Sequence, residues 1–223
     1  MKLLNNINAR FVIIFIGSYF LLTGLLSISV VSESANALLR GISKSFLQGT
    51  FSELKLNTKA EKANGVLDDN KMIVEFEWTQ KKIDQVIERA RRTGQTDIQV
   101  PYRFISYLLC EFFMVPLIFL WSLTLATPMN RKGKWIQGGY AFLCLLGFLL
   151  LKLYLMTLFS VSKAKIDVYE LDHAMMSTLQ WLASMMTMGF SVILAFFLWL
   201  VWVFPKSELK ERVSYWLENS SIG

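Results

Sequence analysis

Histidine is nearly absent from this chain of 223 residues, with His173 alone, and cysteine occurs twice, as Cys110 and Cys144. One imidazole and two separated thiols do not supply the clustered ligands of a structural zinc site, so no metal and no cofactor is expected. Both cysteines fall inside long apolar runs, which offers no disulfide framework. Charge is scarce as well, at 18% of residues, against about 25% in an ordinary soluble domain. What charge there is leans basic, to a formal +6. No basic stripe is interleaved with aromatics, however, and that argues against nucleic acid as a partner. The chain also lacks an HExxH sequence, a Gly-rich phosphate loop and a Ser–Lys or Ser–His–Asp arrangement.

What fills the sequence instead is apolar. Hydrophobic residues make up 54% and aromatics 14%, a composition ordinary for a small multi-span membrane protein. Long apolar runs cover 11–31, 104–127, 136–161 and 175–204, each long enough to cross a hydrocarbon core of about 30 Å. The first run competes with a signal peptide, because Ala35-Asn36-Ala37 resembles a cleavage site. Its length of about 20 residues exceeds the ~7–15 of a signal-peptide core, so it reads as an uncleaved anchor. Basic residues gather in three segments that alternate with these runs: Lys2 and Arg10; Arg131, Lys132 and Lys134; Lys206, Lys210 and Arg212. The positive-inside rule puts all three on the cytoplasmic side. The expected fold class is therefore an α-helical membrane protein with four transmembrane helices and a small exported α+β domain between the first two. In this division 1–31 is a tail and the first helix, 32–103 the exported domain, 104–204 a three-helix membrane region and 205–223 a cytoplasmic tail. The exported side also takes the charged loop 162–174. Both termini are expected to be cytoplasmic.

The stretch 101–161 reads as a hairpin of two spans joined by a basic turn, with Trp135 and Tyr140 suited to an interfacial belt. Glu111 lies eight residues past Arg103, and Lys152 seven before Phe159. Helix rise then puts both roughly 10–12 Å below the same surface, where an intramembrane acid and base are expected to pair. Pro116 in the same run is expected to kink its helix, which suggests either simple bending or an opening beside Glu111.

Between 32 and 103 the composition turns polar. Leu38, Ile42 and Phe46, joined by Leu39 and Leu47, mark an amphipathic helix over 36–48. Leu54 and Leu56 alternate, and so do Met72, Val74, Phe76 and Trp78. These runs are expected to form a hairpin whose core is Leu54, Leu56, Val74, Phe76 and Trp78. Glu75 and Glu77 then occupy its solvated face rather than an acid–base site. Turn signals stand at Gly65 and at Asp68-Asp69-Asn70; a helix is expected over 80–93 and a third strand over 96–100, ended by Pro101. In the tail, Leu209, Val213, Trp216 and Leu217 share one helical face.

The stretch VPYRFISYLLCEFFMVPLIFLWSLTLATP, a Pro-aromatic entry into a span closing with Leu-Ala-Thr-Pro before a basic turn, resembles small bacterial exosortase-associated membrane proteins, as does the order of anchor, exported domain and three spans. The resemblance implies an inner-membrane accessory of a protein-sorting transpeptidase, without catalysis of its own and with no site residues to carry over. Three function classes stay open. The first is a non-catalytic accessory or assembly protein, whose partners are the lipid bilayer and another integral membrane protein. The second is a transporter component using Glu111 and Lys152, though four spans without repeats make a poor complete transporter. The third is a thiol transpeptidase-like enzyme built on Cys110, Arg103 and His173. A thiol deep in an apolar span is normally inert, which counts against that trio.

Overall fold

A computed structural model describes residues 2–63, 66–93, 102–163, 171–186 and 188–211. The chain is mostly helical, with a small three-stranded sheet. Three of its helical stretches are long and apolar enough to cross a membrane: Ala9–Leu26, Arg131–Lys163 and Gly189–Lys206. A fourth apolar stretch, Cys110–Ala126, is shorter. The chain divides into two compact units. The first holds Met1–Val31, Cys110–Leu149 and Met186–Gly223; the second holds Ser32–Leu109 and Leu150–Met185.

The first unit is built on α1 (Lys2–Leu26), α4 (Val115–Ala126), the first part of α5 (Arg131–Lys163) and α7 (Met188–Leu198). Helix α4 is the central element and packs against α1 and α7. Its contact with α5 is close: a Cβ added at Gly138 would come within 2.8 Å of the Thr124 methyl and 3.3 Å of the Trp121 ring. Glycine at 138 therefore lets the two helices approach at a point that a larger side chain would prop open. Aromatic pairs continue the packing, Phe15 with Phe119, Trp121 with Trp135, and Phe148 with Phe190. The outer surface is apolar: Ile13 is 69% exposed and Phe20 71%. In water such a face would be a standing cost of about 25 cal/mol per Å², which contact with lipid removes.

The second unit is a sheet covered by a helix. Strands β1 (Leu54–Ala63), β2 (Val66–Trp78) and β3 (Tyr102–Leu108) lie antiparallel in the order β1-β2-β3. Leu54, Leu56, Met72, Val74, Phe76 and Trp78 are all buried. On the other face Lys55 pairs with Glu77 at 2.9 Å and Lys59 with Glu75 at 2.7 Å. These are ordinary cross-strand ion pairs. Helix α3 (Gln80–Thr93) follows β2 directly.

The elements depart from the sequence expectation at several points. Residues 104–108, expected in the second span, belong to β3 instead, where β2 supplies a backbone partner from Lys71 to Glu77. The expected strand at 96–100 lies outside the described residues. The single run 175–204 is divided into α6 (His173–Met185) and α7, followed by a π-helical turn, Trp199–Val203, and a short 3-10 turn. Ser177, Thr178, Gln180 and Ser184 make the α6 part more polar than the α7 part. The Asp68-Asp69-Asn70 signal marks a register shift within the hairpin: Ala60 pairs with Met72, but Glu61 pairs with Asp68. Finally, α2 (Ser29–Thr50) is rotated from the expected face. It buries Asn36, Leu39, Ser43 and Leu47 and leaves Leu38 62% exposed. Polar anchors set that rotation: Asn36 Nδ2 donates to Asn70 Oδ1 in the shifted segment at 3.3 Å, and Gln48 bridges the Leu54 carbonyl and the Leu56 amide.

Candidate functional site

Helix α4 stops at Thr127 because Pro128 disfavours helical geometry in the residue before it. Thr127 is extended there, and fully buried. Its Oγ1 donates to the Leu123 carbonyl at 2.7 Å and accepts the Trp199 indole N–H at 2.8 Å. Trp199 also meets Phe11, Phe196 and Phe204 through its ring. One buried indole in the turn after α7 thus joins α1 and the end of α4. Nearby, Glu208 donates its backbone N–H to the Pro128 carbonyl at 3.2 Å.

Those contacts bring three separated segments to one end of the first unit. They surround a pocket of about 420 Å³. Arg10 reaches it from α1, Lys134 from the first turn of α5 and Glu208 from beyond α7, while Phe11, Ile14 and Leu125 supply an apolar wall. Lys134 Nζ donates to the Leu125 carbonyl at 2.6 Å. One residue from each of the three basic segments of the sequence therefore borders the same space. Aromatic side chains collect in the same unit: Tyr140 stacks on Trp202 with ring centres 5.5 Å apart, and Trp135 is 68% exposed.

The residues singled out from the sequence are divided between the two units. Glu111 is exposed on a π-helical turn, Cys110–Met114, that leads into α4. Pro116 follows it, buried near the start of α4. Having no N–H, proline cannot complete the i→i−4 bond to residue 112, and its ring crowds that carbonyl. The preceding turn widens accordingly. Lys152 is buried in the part of α5 that belongs to the second unit, whereas Glu111 belongs to the first. Cys110 is exposed and lies in the first unit, while Arg103 and His173 belong to the second. Among the described residues, no three His, Cys, Asp or Glu side chains form a group able to hold a metal ion.

Two contacts in the second unit have no counterpart among the sequence-derived candidates. Tyr107, which the apolar pattern placed in a span, is buried on β3, and its hydroxyl lies 3.2 Å from Thr157 Oγ1 on α5. Burial pushes the phenol above its usual pKa, an effect the Thr157 hydrogen bond opposes. Phe51 packs against Tyr154 with the rings tilted and their centres 5.4 Å apart. Together they fasten the last part of α5 to α2 and the sheet. A tyrosine next to the Pro-aromatic entry was the only sequence signal for this.

In comparisons with protein-family models, curated proteins and solved structures, nothing matches this chain.

Proposed function

We propose that the protein is a non-catalytic integral membrane accessory protein that displays a folded domain outside the membrane for a membrane-embedded partner. On this reading the bilayer holds four helices, drawn from α1, the stretch 110–126, the first part of α5 and α7. The second unit stands on the exported face. The observation that carries the proposal is where the chain passes between units: at 31/32, 109/110, 149/150 and 185/186. Four passages divide the chain into an apolar part and a part holding the sheet, as four crossings of a membrane would. All three basic segments fall in the first unit, and the pocket draws one residue from each. That arrangement suits a bacterial inner membrane with its basic end toward the cytoplasm.

On this reading the exported domain takes residues 104–109 and 150–185 together with 32–103, the extent of the second unit. The accessory role rests on the polar mass lying in a domain whose charged strand face is neutralised by lysine–glutamate pairs. The layout suggests a partner in envelope export or protein sorting. Single-cysteine labelling in a background lacking Cys110 and Cys144 tests the topology. Glu88→Cys and Met175→Cys should react with a membrane-impermeant maleimide from outside, and Lys132→Cys only after permeabilisation. Labelling of Lys132→Cys in intact cells sinks the topology. Purification from native membranes should then yield a stoichiometric integral membrane partner; recovery of the chain alone would remove the accessory role.

A further inference from the structure

We propose that the pocket bordered by Arg10, Lys134 and Glu208 is a headgroup site for an anionic phospholipid. The proposal rests on the reading that the first unit lies in the bilayer. Two cations from different helices, Arg10 of α1 and Lys134 of α5, border one space, and basic pockets between transmembrane helices on the cytoplasmic side recognise anionic headgroups. Lys134 is held in place by its bond to the Leu125 carbonyl, and Arg10 is exposed. Below them the wall turns apolar at Phe11, Ile14 and Leu125. Next along α1, Ile13 is 69% exposed on the outer surface. A ligand with a charged head and a hydrocarbon chain matches both parts, and a free phosphate matches only the first. The volume of about 420 Å³ suits a headgroup rather than a whole lipid. Exposed Trp135 and the Tyr140–Trp202 stack in the same unit suit the headgroup level.

Phosphatidylglycerol, an anionic phosphodiester with two acyl chains, presents both the charge and the hydrocarbon that this lining matches.

Native mass spectrometry of the full chain in detergent, with equal amounts of phosphatidylglycerol and phosphatidylcholine, tests this. Phosphatidylglycerol should be retained in preference by about tenfold or more, since each basic residue near a headgroup contributes roughly a factor of five. Arg10→Gln should cut that preference roughly fivefold, and Arg10→Lys should keep most of it. Because Lys134 also bonds the backbone, Arg10→Gln on its exposed side chain is the deciding variant. Equal retention of the two lipids, or an unchanged ratio in Arg10→Gln, would overturn the proposal. Displacement of phosphatidylglycerol by excess inorganic phosphate would make this a free-anion site and overturn the lipid assignment. A chain that stays in the supernatant when detergent-free membranes are sedimented would overturn the membrane reading and this proposal together. Equal lipid retention by a chain that sediments overturns this proposal alone.

Discussion

Single side chains in the sheet divide into those that fold it and those that solvate it. Trp78 is 7% exposed and Glu77, its neighbour, faces Lys55. Trp78→Ala should cost on the order of 3–5 kcal/mol, while Glu77→Ala, at an exposed ion pair, should stay within about 0.5 kcal/mol. Chemical denaturation of the full chain, read by near-ultraviolet circular dichroism, separates the two; equal tolerance would mean the strand is not half-buried. Tyr107 gives a pH signature. Its folded pKa is raised above the unfolded value near 10 by burial. The neutral phenol's contribution is therefore intact below pH 10 and is lost as the pH rises beyond it, at a slope of at most about 1.4 kcal/mol per pH unit. Tyr107→Phe should lower stability by about 1 kcal/mol at neutral pH and flatten the alkaline loss. An alkaline limb identical to that of the wild type would show that Tyr107 does not titrate with unfolding. The strand faces were legible beforehand because period-two alternation leaves one choice. The buried face of α2 was not, since Leu38 and Leu39 both suit a helical stripe and only the Asn36–Asn70 bond selects between them.

At the scale of elements, proline leaves a repeated mark. The π-helical turn Cys110–Met114 ends two residues before Pro116, and the turn Trp199–Val203 ends two residues before Pro205. In both places the missing N–H and the crowding ring disturb the carbonyl four residues back, and the hydrogen-bond ladder widens there. A kink was expected at Pro116; the widened turn shows how the backbone accommodates the proline. Pro116→Ala restores the donor, so the turn should relax to α geometry and turn Cys110 relative to α4. Alkylation of Cys110 by a membrane-permeant maleimide should then change by about twofold or more, on the view that π-turns hold side chains in place. Cys144, also exposed, serves as the internal control. Unchanged reactivity at Cys110 would mean that the proline does not cause the turn.

At the scale of the whole molecule, the second unit is assembled from two stretches that are far apart in the chain. Phe51 and Tyr107 pack against Tyr154 and Thr157 of α5, so residues 32–109 alone would expose that face. A domain of about 70–80 residues has little core to spare. The isolated fragment 32–109 should therefore lack a cooperative thermal transition by circular dichroism, and joining it through a linker to 150–185 should restore one. A sharp transition in the short fragment would show that α5 and α6 are dispensable to the fold.

Composition and period were enough, without coordinates, to mark long apolar helices, a small α+β region and the sheet core at Leu54, Leu56, Val74, Phe76 and Trp78. Those features depend on side-chain type at a local repeat, which a sequence displays directly. Tertiary structure decided which apolar residues join the sheet unit. Residues 104–108 became a strand because β2 had an edge to pair. The last part of α5, mostly apolar apart from Lys152 and its final turns, joined the sheet unit, where Tyr107 and Phe51 meet it. It also decided that Arg10, Lys134 and Glu208, widely separated in sequence, border one pocket. Apolar surface is satisfied equally by lipid and by protein, so hydropathy alone cannot say which of the two a helix will meet.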